Sequence, residues 1–256
     1  MILRNRYLAA SLAIAIASVS SPVMAQEVSG TLSGQVSEGD FGSDRDTTWA
    51  SVVAGARWTS GDTSVQVTLP YIDVDSPGVV FSGFDGTPLV MLPDAGGART
   101  DRSGVGDPTL SVSQDLAAGN FDLRATGRVK IPVQDFNDVS TGELDWSLSL
   151  EASRDIGAVT PFVAVGHRWY GNPEGWNIRD GFSASAGMGF EVAGGAAAIS
   201  YEFAETTSDF IDDAHEIVAV YDAPIADRLR LASFATVGLS DGAADYGVGV
   251  RLAASF

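Results

Sequence analysis

Residues 182–192 read Phe182-Ser183-Ala184-Ser185-Ala186-Gly187-Met188-Gly189-Phe190-Glu191-Val192. Phe182, Ala184, Ala186, Met188, Phe190 and Val192 are apolar, and only Ser, Gly and Glu lie between them. A side-chain period of two describes a β-strand with one apolar face and one small or polar face. The pattern recurs upstream. Leu144, Trp146, Leu148, Leu150 and Ala152 alternate with Asp145, Ser147, Ser149, Glu151 and Ser153. Phe121, Leu123, Ala125, Gly127, Val129 and Ile131 alternate with Asp122, Arg124, Thr126, Arg128 and Lys130. Tyr246, Val248, Val250, Leu252, Ala254 and Phe256 keep the same phase over 245–256. Weaker copies cover 27–37, 48–59, 63–73, 104–116, 159–170, 196–206, 214–222 and 228–239, which makes twelve strands and no sustained helical period.

The connections alternate in length. Short ones fall at Ser60-Gly61-Asp62, Ala117 to Asn120, Asp155 to Ala158, Ala193-Gly194-Gly195 and Ala223 to Asp227. Longer, acidic ones fall at 38–47, 74–103, 134–142, 171–180, 207–213 and 240–244. Tight turns on one rim and long loops on the other describe an up-and-down meander. Strands of ~11 residues are long enough to cross a bilayer at ~45° tilt.

Ahead of the first strand, Arg4 and Arg6 precede an apolar run from Tyr7 to Val19, and Val23-Met24-Ala25 supplies the small residues of a cleavage site. Residues 1–25 are therefore expected to be a cleaved secretory signal peptide and 26–256 the mature domain. No later stretch approaches the ~18 apolar residues of a spanning helix. The 256 residues hold 33 acids against 15 bases, a net charge of −18, which excludes a nucleic-acid binder needing a basic footprint. Without Cys there are no disulfides, no thiolate metal sites and no Cys nucleophile.

Alternation fits soluble and membrane barrels alike, and three features separate them. Aromatics sit near both ends of the apolar face: Trp49, Tyr71, Trp146, Trp169, Phe182 and Tyr246 toward the long loops, and Trp58, Phe121, Phe190, Tyr221 and Phe256 toward the short turns. Two such girdles suit two lipid–water interfaces. The chain has a single Lys, Lys130, whereas a soluble sandwich favours Lys on its outer face. It ends on a strand with Phe256, which resembles the signal read by the outer-membrane barrel insertion machinery. The expected fold is an all-β, transmembrane up-and-down antiparallel barrel in the outer membrane of a Gram-negative bacterium. Its termini and short turns face the periplasm.

Between Gly104 and Gly157 the residues resemble a known family. Gly104-Val105-Gly106-Asp107 opens a strand, followed by Gly127-Arg128-Val129-Lys130-Ile131-Pro132, Thr141-Gly142-Glu143-Leu144-Asp145 and Glu151-Ala152-Ser153-Arg154, with Leu69-Pro70-Tyr71 upstream. In this order they are similar to outer-membrane transporters of the phenol-degradation meta-pathway type, whose pattern runs G-x-G-D, then K-x-P-T-G-D, then G-T-G-x-x-D. Here Val133-Gln134-Asp135 stands for T-G-D, and Ser140 replaces the first Gly of G-T-G. The resemblance implies passive uptake of small aromatic or other hydrophobic solutes, with no cofactor and no metal.

Twelve strands ~4.8 Å apart and tilted ~40° enclose a cylinder roughly 24 Å across, leaving a path of about 10 Å between side chains. The charged residues expected to line it are Arg57, Asp107, Arg124, Arg128, Lys130, Asp145, Glu151, Arg168, Glu202, Glu216, Arg230 and Arg251, with Asp115, Asp122 and Glu191 in the same phase. Arg124, Arg128 and Lys130 share one strand face. Opposing Asp107, Asp145 and Glu151, they read either as a transverse field guiding a solute or as paired charge that rigidifies the lumen. Loop 74–103 holds an apolar segment with Phe81, Phe84, Leu89 and Met91, which must be buried as a plug or capture site in the mouth, against extended strands, or on the rim. Acidic tips at Asp40, Asp44, Asp46, Asp209, Asp212 and Asp213 read as solvated surface, or as cation sites bridging lipopolysaccharide. The two histidines, His167 and His215, face outward in this phase and lack the Ser two residues on that outer-membrane phospholipases carry, so no catalytic residue is assigned. The expected role is a passive channel. A non-conducting structural or adhesive barrel is the alternative, and an outer-membrane hydrolase a remote one.

Overall fold

The computed structural model describes residues 26–43, 45–91, 100–133, 139–192 and 194–256. The expected signal peptide and the Asp44 loop tip lie outside them. The chain forms β1 (Glu27–Gly39), β2 (Thr47–Ser60), β3 (Thr63–Ser76), β4 (Val80–Ser82), β5 (Pro88–Val90), β6 (Thr100–Val105), β7 (Thr109–Ala118) and β8 (Phe121–Lys130). There follow β9 (Asp145–Ser153), β10 (Val159–Trp169), β11 (Gly181–Val192), β12 (Gly195–Ala204), β13 (Ala214–Ala226), β14 (Leu229–Gly238) and β15 (Tyr246–Ser255). Sequential antiparallel pairing runs round the wall, and β1 closes on β15 with Leu32 opposite Leu252. Thirteen strands belong to this sheet, but β6 and β7 lie end to end against β3, so the closed barrel has twelve staves. Closure pairs the backbone without leaving a sheet edge, the condition for strands in lipid.

The short turns are made possible by glycine: Gly61 and Gly194 have φ of 57° and 76°, where a side chain is strained. On the outer wall Leu148, Val163 and Val165 are more than half exposed, at 53%, 55% and 59%. A continuous aliphatic wall of this kind is stable against acyl chains and not against water. Along the staves the buried side chains, such as Ser51, Thr68, Ser185 and Thr236, alternate with the outward ones and face the lumen.

Two sequence expectations need correction. The stretch 104–116 is not one regular strand. Tyr71 pairs with Val105 and Thr68 with Thr109, so Gly106, Asp107 and Pro108 face only Leu69 and Pro70. The extra residue is a bulge, and it reverses the parity of the strand. Odd-numbered Val105 above it and even-numbered Val112 below it therefore both point outward, at 43% and 46% exposure. Trp49, placed in the outer girdle from the sequence, faces inward at 1% exposure. The odd-numbered residues of β2 line the lumen, and the upper lumen beside Trp49 is apolar, with Ile72, Val74, Val80 and Val139 packed round it. Tyr71, Trp146, Phe182, Tyr246, Trp58, Phe121 and Tyr221 are exposed on the outer wall.

Candidate functional site

Residues 77–91, which follow β3, turn back into the barrel. Their short β4–β5 hairpin pairs Phe81 with Leu89, and Gly83 donates to the Thr87 carbonyl at 2.7 Å. Inward-facing side chains of consecutive staves hold it. Trp49 Nε1 donates to the Gly86 carbonyl at 3.1 Å, Thr68 Oγ1 to Asp85 Oδ1 at 2.6 Å, and the Asp85 amide to Thr109 Oγ1 at 3.1 Å. At the bend Gly86 has φ of 74°, and a Cβ there would come within 2.7 Å of Pro70. Phe81, Phe84, Leu89 and Met91 are buried with Tyr170 and Ile178, and Trp176 meets Phe81 edge-on with ring centroids 5.6 Å apart. Of the three positions the sequence left open for this apolar segment, it occupies the mouth.

Beside the hairpin lies a buried polar knot. Lys130 Nζ is 2.6 Å from Asp145 Oδ2 and 3.9 Å from Asp107 Oδ2, all three side chains being fully buried. The ammonium also donates to the Ser82 carbonyl and to Thr141 Oγ1, each at 3.2 Å. Asp107 accepts from Ser140 Oγ at 2.5 Å and from the Val133 amide at 3.2 Å, and Asp145 accepts from the Gly171 amide at 3.0 Å. Asp107, Lys130, Thr141 and Asp145 are among the polar residues of the resemblance motifs. Scattered over 39 positions of sequence, they converge on one point and tie β7, β8, β9 and loop 139–144 to the inserted hairpin. Ser140, the departure from the family pattern, supplies a hydroxyl to Asp107.

Arg124, Arg128 and Lys130 thus have three different surroundings. Arg124 makes a two-point pair with Asp115, at 2.5 and 2.8 Å. Lys130 is consumed by the knot, and Arg128 lines open space. Glu151 is buried on the inner face, Cα-paired with Arg124. Across the lumen Arg230 pairs with Asp222. Glu202 accepts from Ser200 at 3.2 Å and lies directly across from Glu216 on the next strand, with Arg168 as their cationic neighbour. At the mouth burial raises the Tyr170 phenol above its ordinary value, opposed by the hydrogen-bonded Arg168 guanidinium. Both histidines are on the outer wall. His215 Nδ1 lies 2.5 Å from the Tyr201 hydroxyl, and His167 packs against Trp169 and Phe182. Among the described residues no group of His, Asp and Glu is placed to hold a metal.

Two cavities lie among the described residues. The upper one, about 210 Å3, lies between the inserted hairpin and β10–β15, with Phe41, Phe84, Leu89, Tyr170, Arg168, Glu202 and Glu216 in its wall. The lower one, about 90 Å3, lies toward the short turns among Arg57, Arg251, Ser33, Ser64, Gln66 and Ser113. Gln35, Asp85, Arg128 and Phe234 line both, and therefore form the waist between them. The sequence reading missed Gln35, Asp85, Asp222 and Phe234. Phe234 was legible from phase, since it is four residues after inward Arg230. Its partner Gly249 confirms the direction, because a Cβ there would collide with the Phe234 ring. Asp85 carries no such signal, being on a bend with φ of 54° rather than on a strand.

No family model matches the chain, and no curated protein does. Among solved structures it is similar to the COG4313 outer membrane channel from Pseudomonas putida F1, with a TM-score of 0.68 at 16% identity over 93% of this chain and 97% of that one. Lower similarity extends to a Pseudomonas aeruginosa FadL homologue, at a TM-score of 0.46 and 8% identity over 90% of both chains. The CymD monoaromatic hydrocarbon channel gives a TM-score of 0.46 and 8% identity over 90% of this chain and 88% of that one. With its aliphatic outer wall and its twelve staves, the chain has the fold of an outer-membrane channel, a closed antiparallel β-barrel.

Proposed function

We propose that this protein is a passive outer-membrane channel for small, hydrophobic or aromatic solutes, and that it is not an enzyme. The observation that carries this reading is the pair of cavities meeting at a shared waist, with the upper one walled by Phe41, Phe84, Leu89 and Tyr170. An apolar cavity with a few convergent polar groups is the usual form of a small-molecule site. On this reading the inserted hairpin is the selectivity element, and the charges of the knot are structural. His215 is taken up by the Tyr201 hydroxyl and His167 is packed against Trp169 and Phe182, which supports a structural role for both. Phe256, 77% exposed immediately after the strand that closes the barrel, is assigned to recognition by the insertion machinery, and the acidic loop tips to the lipopolysaccharide side.

Planar-bilayer recording and uptake in a porin-depleted outer membrane test the reading together. The wild type should give small unitary steps and admit phenol or toluene. Replacing residues 80–90 by a short Gly/Ser linker should raise unitary conductance several-fold and lower discrimination between solutes. A silent wild type that stays silent without the hairpin would identify a structural barrel instead.

A further inference from the structure

The lower cavity is unbalanced in charge. Arg57, Arg128 and Arg251 reach it, against the single carboxylate of Asp85, and the rest of its wall is mainly hydroxyl and amide. Asp85 is already engaged by Thr68 at 2.6 Å. The upper cavity differs, because Arg168 there stands beside Glu202 and Glu216.

Arg251 is the decisive residue. It sits on the inner face of β15 at 9% exposure, and its Nε and one Nη have no hydrogen-bond partner among the described residues. Its charged neighbours are Arg57 and Asp85. Arg57 offers Nη2 to Ser64 Oγ at 2.8 Å, which fixes its guanidinium on the same cavity. A buried guanidinium with open N–H groups is costly until an acceptor arrives. Adjacent Nε and Nη hydrogens form the fork that a carboxylate matches with two parallel bonds, and a ring of arginines is how an anion-selecting pore is built. Above the fork, the Phe234 ring at the waist offers a flat apolar surface to the remainder of a ligand.

We infer that the lower cavity is a carboxylate site, in which Arg251, with Arg57 and Arg128 beside it, holds the head of a small organic acid whose compact apolar or aromatic body rests against Phe234. This deepens the channel reading by naming a cargo class: weakly hydrated organic monoacids rather than neutral hydrocarbons alone.

Titration calorimetry of the folded, detergent-solubilised protein tests it, with benzoate as the probe and benzyl alcohol as its uncharged counterpart. Benzoate should bind, benzyl alcohol should bind at least tenfold more weakly, and chloride should compete with benzoate. Arg251→Gln should weaken benzoate at least tenfold and leave benzyl alcohol unchanged, while Arg251→Lys should retain part of the affinity. Equal binding of the two probes by the wild type overturns the site without any variant, and so does unchanged benzoate affinity in Arg251→Gln. The measurement is made at equilibrium, so the two readings fail separately. Conductance without benzoate binding removes the carboxylate site alone. Benzoate binding by a barrel that passes nothing removes the transport reading and leaves the site.

Discussion

Lys130 is a buried cation held by two aspartates, and such arrangements respond asymmetrically to mutation. Replacing a buried pair wholesale is often neutral, but removing one partner strands the others. Lys130→Met leaves Asp107 and Asp145 facing one another in a dry pocket and takes two hydrogen bonds from the inserted hairpin and its neighbouring loop. It should cost about 3–5 kcal/mol of folding free energy. Urea unfolding in micelles measures this, and Lys130→Met combined with Asp107→Asn and Asp145→Asn should recover a large part of the loss. The residue was legible as inward-facing from alternation alone. Its use was not, because which aspartates reach it depends on the fold of loop 139–144 and on a backbone carbonyl of a segment 48 positions away.

At the scale of elements, the break between β6 and β7 does more than reverse the face of a strand. It brings Gly106 against the hairpin, where a Cβ would lie 2.8 Å from Ile72 Cδ1 and 2.9 Å from Ser82 Oγ. Gly106→Ala is therefore expected to overpack the contact by about 1–3 kcal/mol and to push the hairpin out of its seat. Limited proteolysis should then cut within 77–91 in the variant and not in the wild type, and unitary conductance should rise. The strands themselves were readable because a lipid wall and a polar lumen impose opposite demands on successive residues. Trp49 is the exception: an apolar side chain buried inside a barrel whose interior reads as polar from alternation, because sequence phase assigns a side to a residue without knowing what else has entered the lumen. Gly104-Val105-Gly106-Asp107 marked the break in advance, since two glycines within a strand pattern signal a bulge or a close approach.

For the molecule as a whole, the outer wall and the mouth make separate demands. Leu148 lies midway along β9 on the lipid face, so Leu148→Arg should cost roughly 2–4 kcal/mol near the bilayer midplane, read from unfolding in lipid vesicles. At the mouth, burial and then the carboxylates of Asp40, Asp46, Asp241 and Glu38 raise the Asp245 acid above its ordinary 3.8. A carboxyl raised in the folded state binds its proton more readily there than in the unfolded chain. Its penalty is therefore full at neutral pH and fades as pH falls through the raised value. Asp245→Asn should increase the melting temperature at pH 7, with the gain shrinking in high salt and vanishing below about pH 3.8. Thermal scans of the micelle-bound protein across pH check this.

The hairpin in the mouth is gripped largely through its main chain: Trp49 takes the Gly86 carbonyl, Lys130 the Ser82 carbonyl, Arg102 the Gly78 carbonyl, and Val139 the Ser82 amide. Main-chain handles are the same whatever residue carries them. On the channel reading proposed above, Phe84, Leu89 and their neighbours can thus be exchanged in evolution or by an engineer, one diet of molecules for another, while the bolts that fasten this cartridge to its housing stay unaltered.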